Sequence, residues 1–177
     1  MTRCCFATVP KASPTPVAEP ATEPLLSLLG TWTGGGHGDY PTIEPFDYLE
    51  TVTFGAITGK PFVTYTQRTT HPTTAAPMHT ESGYLRNPSP GRVEMVVAQP
   101  TGITEVHTGD LTHSDDAVII NLATTAVVGT PTAKEVTAVQ RHWHLAGDVL
   151  TYEVSMAAVG QPMTLHLQAT LERVVTS

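Results

Sequence analysis

The chain has 177 residues, a formal net charge of −7 and only 14% charged residues. That length supports one domain with a core of its own, and the acidic balance argues against a nucleic-acid partner. No apolar run reaches the ~18 residues of a membrane helix. Residues 1–10 hold no signal-peptide core, and the only cysteines, Cys4 and Cys5, are adjacent and not spaced for zinc. A reduced, cytoplasmic setting is the expectation.

Residues 1–22 carry Pro10, Pro14, Pro16 and Pro20 among Ala, Ser, Thr and Glu. This composition buries little apolar surface and predicts a flexible tail, leaving 23–177 as the globular domain. Thr22-Glu23-Pro24 offers an N-cap and a first-turn proline, so a short helix is expected before Gly30. Then comes Gly30-Thr-Trp32-Thr-Gly34-Gly-Gly36-His-Gly38-Asp-Tyr40-Pro41. Glycines at this density permit positive φ and close backbone approach, and inside a first strand they mark bends and bulges. Trp32 among them would plug one end of a small barrel.

Strands are predicted at Phe62–Thr66, Val93–Ala98, Ile103–Thr108, Val118–Thr124, Glu135–Leu145, Val149–Met156 and Met163–Val174. Asn87-Pro-Ser-Pro-Gly91, Ser114-Asp-Asp116, Ala146-Gly-Asp148 and Gly160-Gln-Pro162 are the turns between them. Short strands at this spacing indicate an all-β fold. The expected architecture is an antiparallel up-and-down β-barrel of about ten strands with a short helix covering one end.

Eight histidines are the residues best suited to chemistry: His37, His71, His79, His107, His113, His142, His144 and His166. Most are expected to be solvated side chains; His71 sits in a Thr/Pro loop and His113 beside a turn. His142 and His144 share one strand face, but two donors make an incomplete metal site. His79 could be a buried, backbone-satisfied histidine or a supporting group. Simple alternation sets His166 with Thr164, Gln168 and Thr170 on a water-facing side, opposite Met163, Leu165, Leu167 and Ala169; a bulge would change that phase. No paired carboxylates or Ser/His/Asp grouping stand out. The arginines show no Arg-x-Tyr arrangement of the kind that receives a ligand carboxylate.

The run GxWxGxGxGxYP from Gly30 to Pro41, paired with Gln161-Pro-Met-Thr-Leu-His166, resembles the nitrobindin family of haem-binding β-barrels. The resemblance extends from about Leu25 to about Val174 and shares the helix-then-Gly-x-Trp opening of lipocalins and fatty-acid-binding proteins. It implies one haem b per chain, held without covalent attachment because Cys-x-x-Cys-His is missing. By the same resemblance His166 is the axial iron ligand, its ring turned inward against the simple alternation. Lys134, in Ala133-Lys-Glu135, would meet a haem propionate. Thr42, in Tyr40-Pro-Thr-Ile43, would offer a hydroxyl at the haem edge. Met78, His79, Gln99, Val136 and Met156 would line the cavity, and Gly30, Trp32, Gly34 and Gly36 would be structural. The implied activity is isomerisation of peroxynitrite to nitrate at ferric iron, with nitric oxide as a further ligand and a homodimer as a feasible assembly. Three other readings remain open: a non-catalytic nitric oxide carrier or sensor, a haem-free barrel for a small apolar ligand, and an interaction domain.

Overall fold

The structure is a computed structural model and describes residues 23–175. The stretch 1–22, read above as a tail, lies outside the described residues. A short helix α1 (Glu23–Leu26) leads into ten strands: β1 (Gly30–Tyr40), β2 (Ile43–Ala56), β3 (Phe62–Thr70), β4 (Pro77–Ser89), β5 (Arg92–Ala98), β6 (Ile103–His113), β7 (Ala117–Gly129), β8 (Val136–Ala146), β9 (Val149–Ala158) and β10 (Thr164–Arg173). Each strand pairs with its neighbour in sequence, and β1 pairs antiparallel with β10. The result is the expected up-and-down barrel, closed so that no strand edge is left open. No helix among the described residues is long and apolar enough to cross a membrane.

Period-2 alternation generates the core. Val63 and Tyr65 on β3, Val93, Met95 and Val97 on β5, and Trp143 and Leu145 on β8 point inward and are buried. Strands β2 and β4 escaped the sequence reading because Pro45, Pro77, Gly83 and Pro88 interrupt their patterns. The turn expected over Asn87–Gly91 is shorter than that. Strand β4 continues through Ser89, and the hairpin is Pro90-Gly91 alone, with Gly91 at φ 73°.

One barrel end is sealed. Leu25, Leu28 and Trp32 are buried there, and the Trp32 indole N–H donates to the Leu28 carbonyl at 2.8 Å. The Arg173 guanidinium lies 4.0 Å from the centre of the Trp32 ring and donates to the Ser27 carbonyl at 2.9 Å. Trp32 and the short helix therefore act as the plug and cover expected of them.

The glycine run serves the close approach expected of it more than positive φ. Within it only Gly30 has a positive φ, 123°. Gly34, Gly36 and Gly38 instead matter because they lack a Cβ. A Cβ at Gly34 would lie 2.1 Å from the Thr170 carbonyl oxygen of β10. At Gly36 it would lie 2.2 Å from the Tyr48 ring, and at Gly38 2.3 Å from the Phe46 ring. The inner face of β1 is bare so that two aromatic rings from β2 can lie across it.

Gly36→Ala is therefore expected to displace Tyr48 and destabilise the barrel by about 1–3 kcal/mol. Gly35→Ala, whose Cβ would meet its nearest atom at an ordinary 3.6 Å, is the tolerated control. Urea unfolding of the two variants measures the difference.

Candidate functional site

The end opposite the helix is open. It leads into a cavity of about 300 Å³ bounded by the first residues of even-numbered strands and the last residues of odd-numbered ones. Its walls are largely apolar: Ile43, Phe46, Met78, Val136, Val139, Val154, Met156 and Leu167. His166 and His79 join them at the side, and Gln67, Gln99, Glu81, Glu105 and Arg141 form the floor.

His166 reaches the cavity through a β-bulge. In the β9–β10 ladder Leu165 pairs with Ser155 and Leu167 with Val154, so β10 spends one extra residue, His166, against β9. The extra residue flips the phase. Leu165 points out and is 44% exposed, whereas His166 and Leu167 both border the cavity. The expectation from simple alternation, a water-facing His166, is corrected by this bulge. The His166 Nδ1–H donates to the Asp39 carbonyl at 3.1 Å, which leaves Nε2 with its free lone pair. Tyr40 and Phe46 hold the ring edge-on, at centroid distances of 5.3 and 6.3 Å. Burial holds the His166 pKa below the ordinary histidine value, so the ring is neutral at neutral pH.

The floor is a buried charge cluster. Arg141 donates to both oxygens of Glu81, each at 2.9 Å, and to Glu105 Oε2 at 2.8 Å. His107, fully buried, donates from Nε2 to Glu105 at 2.8 Å. Gln99 bridges Glu105 and Glu81 at 2.6 and 3.2 Å. Burial alone would raise both carboxyls, but the guanidinium between them holds Glu81 far below, and Glu105 below, the usual carboxylate value. Beside this cluster Glu50 accepts from Tyr152 at 2.8 Å and from Gln67, and Tyr152 pairs with the Tyr48 hydroxyl at 2.8 Å. Glu50 has no cation in hydrogen-bond contact, and burial pushes its pKa up to about 7.

The structure gathers Met78, His79, Gln99, Val136 and Met156 around the same cavity as His166. His79 Nε2 lies 3.5 Å from Glu81 Oε1 and so faces the floor. Thr42 and Lys134 are exposed on the turns that rim the open end, outside the cavity lining. His142 and His144 lie on the outer surface as expected, in an open groove with His37 and Asp47. No group of three metal-ligating side chains exists among the described residues.

Two sequence expectations fail here. His107 is not solvated, and carboxylates do cluster, because Glu50, Glu81 and Glu105 come from three different strands. Arg141 is likewise an interior arginine, lining one small void with Tyr65 and Tyr152. Alternation held the signal: Val139-x-Arg141-x-Trp143-x-Leu145 places Arg141 in an otherwise apolar inward column, as Tyr48-x-Glu50-x-Val52-x-Phe54 does Glu50.

Arg141→Met leaves two carboxylates buried without their cation and is expected to cost about 3–5 kcal/mol in urea unfolding. Glu50 gives a pH signature of opposite sense to a paired carboxylate. Between its unfolded value of 4.5 and its folded value of about 7, the folded chain keeps a proton that the unfolded chain releases. Glu50 thus removes stability as pH rises through that window, by an amount of order 3 kcal/mol. Glu50→Gln is expected to lack this loss, so its melting temperature should gain on the wild type from pH 5 to pH 8.

A family model described as "THAP4-like, heme-binding beta-barrel domain" matches residues 21–173. Among similar proteins, peroxynitrite isomerase 2 of Mycobacterium avium is 52% identical over 149 residues, covering 84% of this chain and 92% of the relative. Peroxynitrite isomerase of Nocardia farcinica is 48% identical over 165 residues, covering 93% and 98%. The crystal structure of Rv2717c from M. tuberculosis superposes with a TM-score of 0.85 at 48% identity, covering 88% of this chain and 98% of that one. The barrel, its open apolar cavity and these matches lead to one conclusion: the chain belongs to the THAP4-like, heme-binding β-barrel domain family.

Proposed function

We propose that the protein isomerises peroxynitrite to nitrate with a haem b that would be held in the open cavity, His166 supplying a nitrogen ligand to its iron. The observation that carries this reading is the bulge that turns a neutral imidazole, its Nδ1 committed to Asp39, toward an apolar cavity. The residues fit the group: one imidazole nitrogen is free to coordinate, the walls suit a porphyrin face, and His79 is directed to Glu81 rather than offered as a second donor. Haem, when bound, supplies the redox-active iron that rearranges the substrate.

The chain's own residues do the rest. The Asp39 carbonyl fixes the His166 tautomer and ring orientation. A backbone carbonyl, unlike a carboxylate, leaves the imidazole only a moderate donor. Met78, Val136, Val154 and Met156 exclude water from the cavity walls. Lys134 and Thr42, exposed on the rim, would meet the polar edge of the group at the mouth. No side chain needs to supply a proton, since isomerisation conserves every atom of the substrate.

Nitric oxide as a second ligand and nitrate as the released product belong to the same reading. So does a homodimer, for which the outward row Tyr84, Val96 and Val106, paired across β4, β5 and β6, offers an exposed apolar face. The haem-free carrier of an apolar carboxylate is the weaker alternative. Arg141, the interior cation such a ligand would seek, already satisfies Glu81 and Glu105.

Hemin titration of the wild type is expected to give a sharp ferric Soret band that His166→Ala loses or shifts, followed by catalysed peroxynitrite decay in stopped flow. Identical bands in both proteins would overturn the assignment of His166. Because His166 titrates below the ordinary histidine value, wild-type haem release on acidification is expected only below that range.

A further inference from the structure

A line of aromatic side chains runs from His166 into the barrel. Phe46 lies 6.3 Å from the His166 ring and 6.0 Å from the Tyr48 ring, centroid to centroid. The Tyr48 hydroxyl is 2.8 Å from that of Tyr152. Tyr152 faces Trp143 across the β8–β9 ladder, and Trp143 stacks at 5.7 Å from Tyr65. Phe46 supports the His166 ring, but the isomerisation gives the tyrosines and Trp143 no part, although they lie along and beneath the cavity where a strong oxidant is handled.

One member of the line differs from the others. The Tyr152 O–H donates to Glu50 Oε2 at 2.8 Å, within the ~2.6–3.2 Å reach of proton transfer. Losing an electron makes a phenol strongly acidic, so oxidation of a buried tyrosine is feasible only where a base can take its proton. Glu50 is such a base. Tyr65 also donates to a carboxylate, Glu81 at 3.0 Å, but Arg141 holds Glu81 ionised and makes it a poor proton acceptor. Tyr48 donates or accepts only with Tyr152 and a backbone carbonyl. Tyr40 bonds to backbone carbonyls alone among acceptors.

We propose that Tyr152 is a redox-active tyrosine that passes one electron to a one-electron oxidant in the cavity and its phenolic proton to Glu50. The oxidant class is nitrogen dioxide, which O–O homolysis of peroxynitrous acid releases together with hydroxyl radical. In the step Tyr152-OH, the Glu50 carboxylate and nitrogen dioxide become the Tyr152 phenoxyl radical, the Glu50 carboxylic acid and nitrite. The tyrosine O–H bond breaks, a Glu50 O–H bond forms, and charge and electrons balance. The proton moves along an existing hydrogen bond, and Glu50 loses its negative charge as nitrite gains one, so the net charge is unchanged and no new charge is left on the buried pair. The site would catch oxidant that fails to complete the isomerisation.

The oxidant's identity rests on the peroxynitrite reading, so the test does not use peroxynitrite. The full chain without haem is oxidised by flash-generated tris(bipyridine)ruthenium(III) and freeze-trapped for electron paramagnetic resonance. The background is Tyr84→Phe, because Tyr84 is 51% exposed and would be oxidised directly. The pH is 8.5, where Glu50 is ionised; Arg141 and Glu81 are the charged groups that act on it. A tyrosyl signal is expected, retained in Tyr65→Phe, lost in Tyr152→Phe and lost or strongly reduced in Glu50→Gln. Circular dichroism checks that each variant is folded; Tyr152→Phe removes only a hydroxyl and leaves Gln67 on Glu50. A signal unchanged in Tyr152→Phe, or unchanged in folded Glu50→Gln, would overturn the proposal. Failure of hemin to bind His166 would leave this result standing, and failure here would leave the Soret result standing.

Discussion

The Arg141 fork onto Glu81 and Glu105 is the constraint on which the interior depends. A small closed barrel ordinarily fills with apolar side chains. Here a cation and two anions from β8, β4 and β6 meet at mid-depth. They are tolerable because both carboxylates and the two terminal guanidinium nitrogens find partners, leaving Arg141 Nε unpaired, whereas an unpaired buried charge costs several kcal/mol. Their pairing divides the interior. Toward α1 lies a dry core closed by Trp32; toward the open rim lies a cavity with apolar walls and a polar floor.

That division decides what the cavity can hold. The floor sets its depth, and among the described residues it offers no free cation, because Arg141 is matched within the cluster. Among the described residues, that leaves the apolar walls and a lone-pair donor at the side of the cavity. His166 is that donor, and its direction follows from β10 having to satisfy two ladders. Its pairing with β1 is regular from Arg173 to Leu167, while its pairing with β9 absorbs an extra residue. The glycines of β1 serve the same geometry from the facing side. They let Phe46 and Tyr48 lie flat, and Phe46 in turn supports the His166 ring.

The second polar group, Glu50 with Gln67, Tyr152 and Tyr48, borders the charge cluster but has a different character. Glu81 is locked as an anion by Arg141. Glu50, without a hydrogen-bonded cation, stays near its protonation midpoint at neutral pH. Two glutamates in one barrel are thus driven apart by whether a guanidinium reaches them: one fastens the fold, the other can exchange a proton.

Fold class was legible in the chain itself. Alternating strands and turn residues specify an antiparallel barrel, and Trp32 after a short helix marks its sealed end. These are local signals, read from the 2-residue period and from turn chemistry. The motif around His166 named a family and a ligand, but period-2 counting pointed the ring the wrong way. A bulge is a property of the pairing between β9 and β10, which no single strand encodes. Glu50, Glu81, Glu105, His107 and Arg141 were visible as polar residues in inward columns, yet their meaning lay in partners as much as 102 residues apart in sequence. Local pattern determined that the chain would close into a barrel. Only closure, by bringing distant strands to one depth, decided which charges would pair, which carboxyl would stay free to titrate, and which histidine would face the cavity.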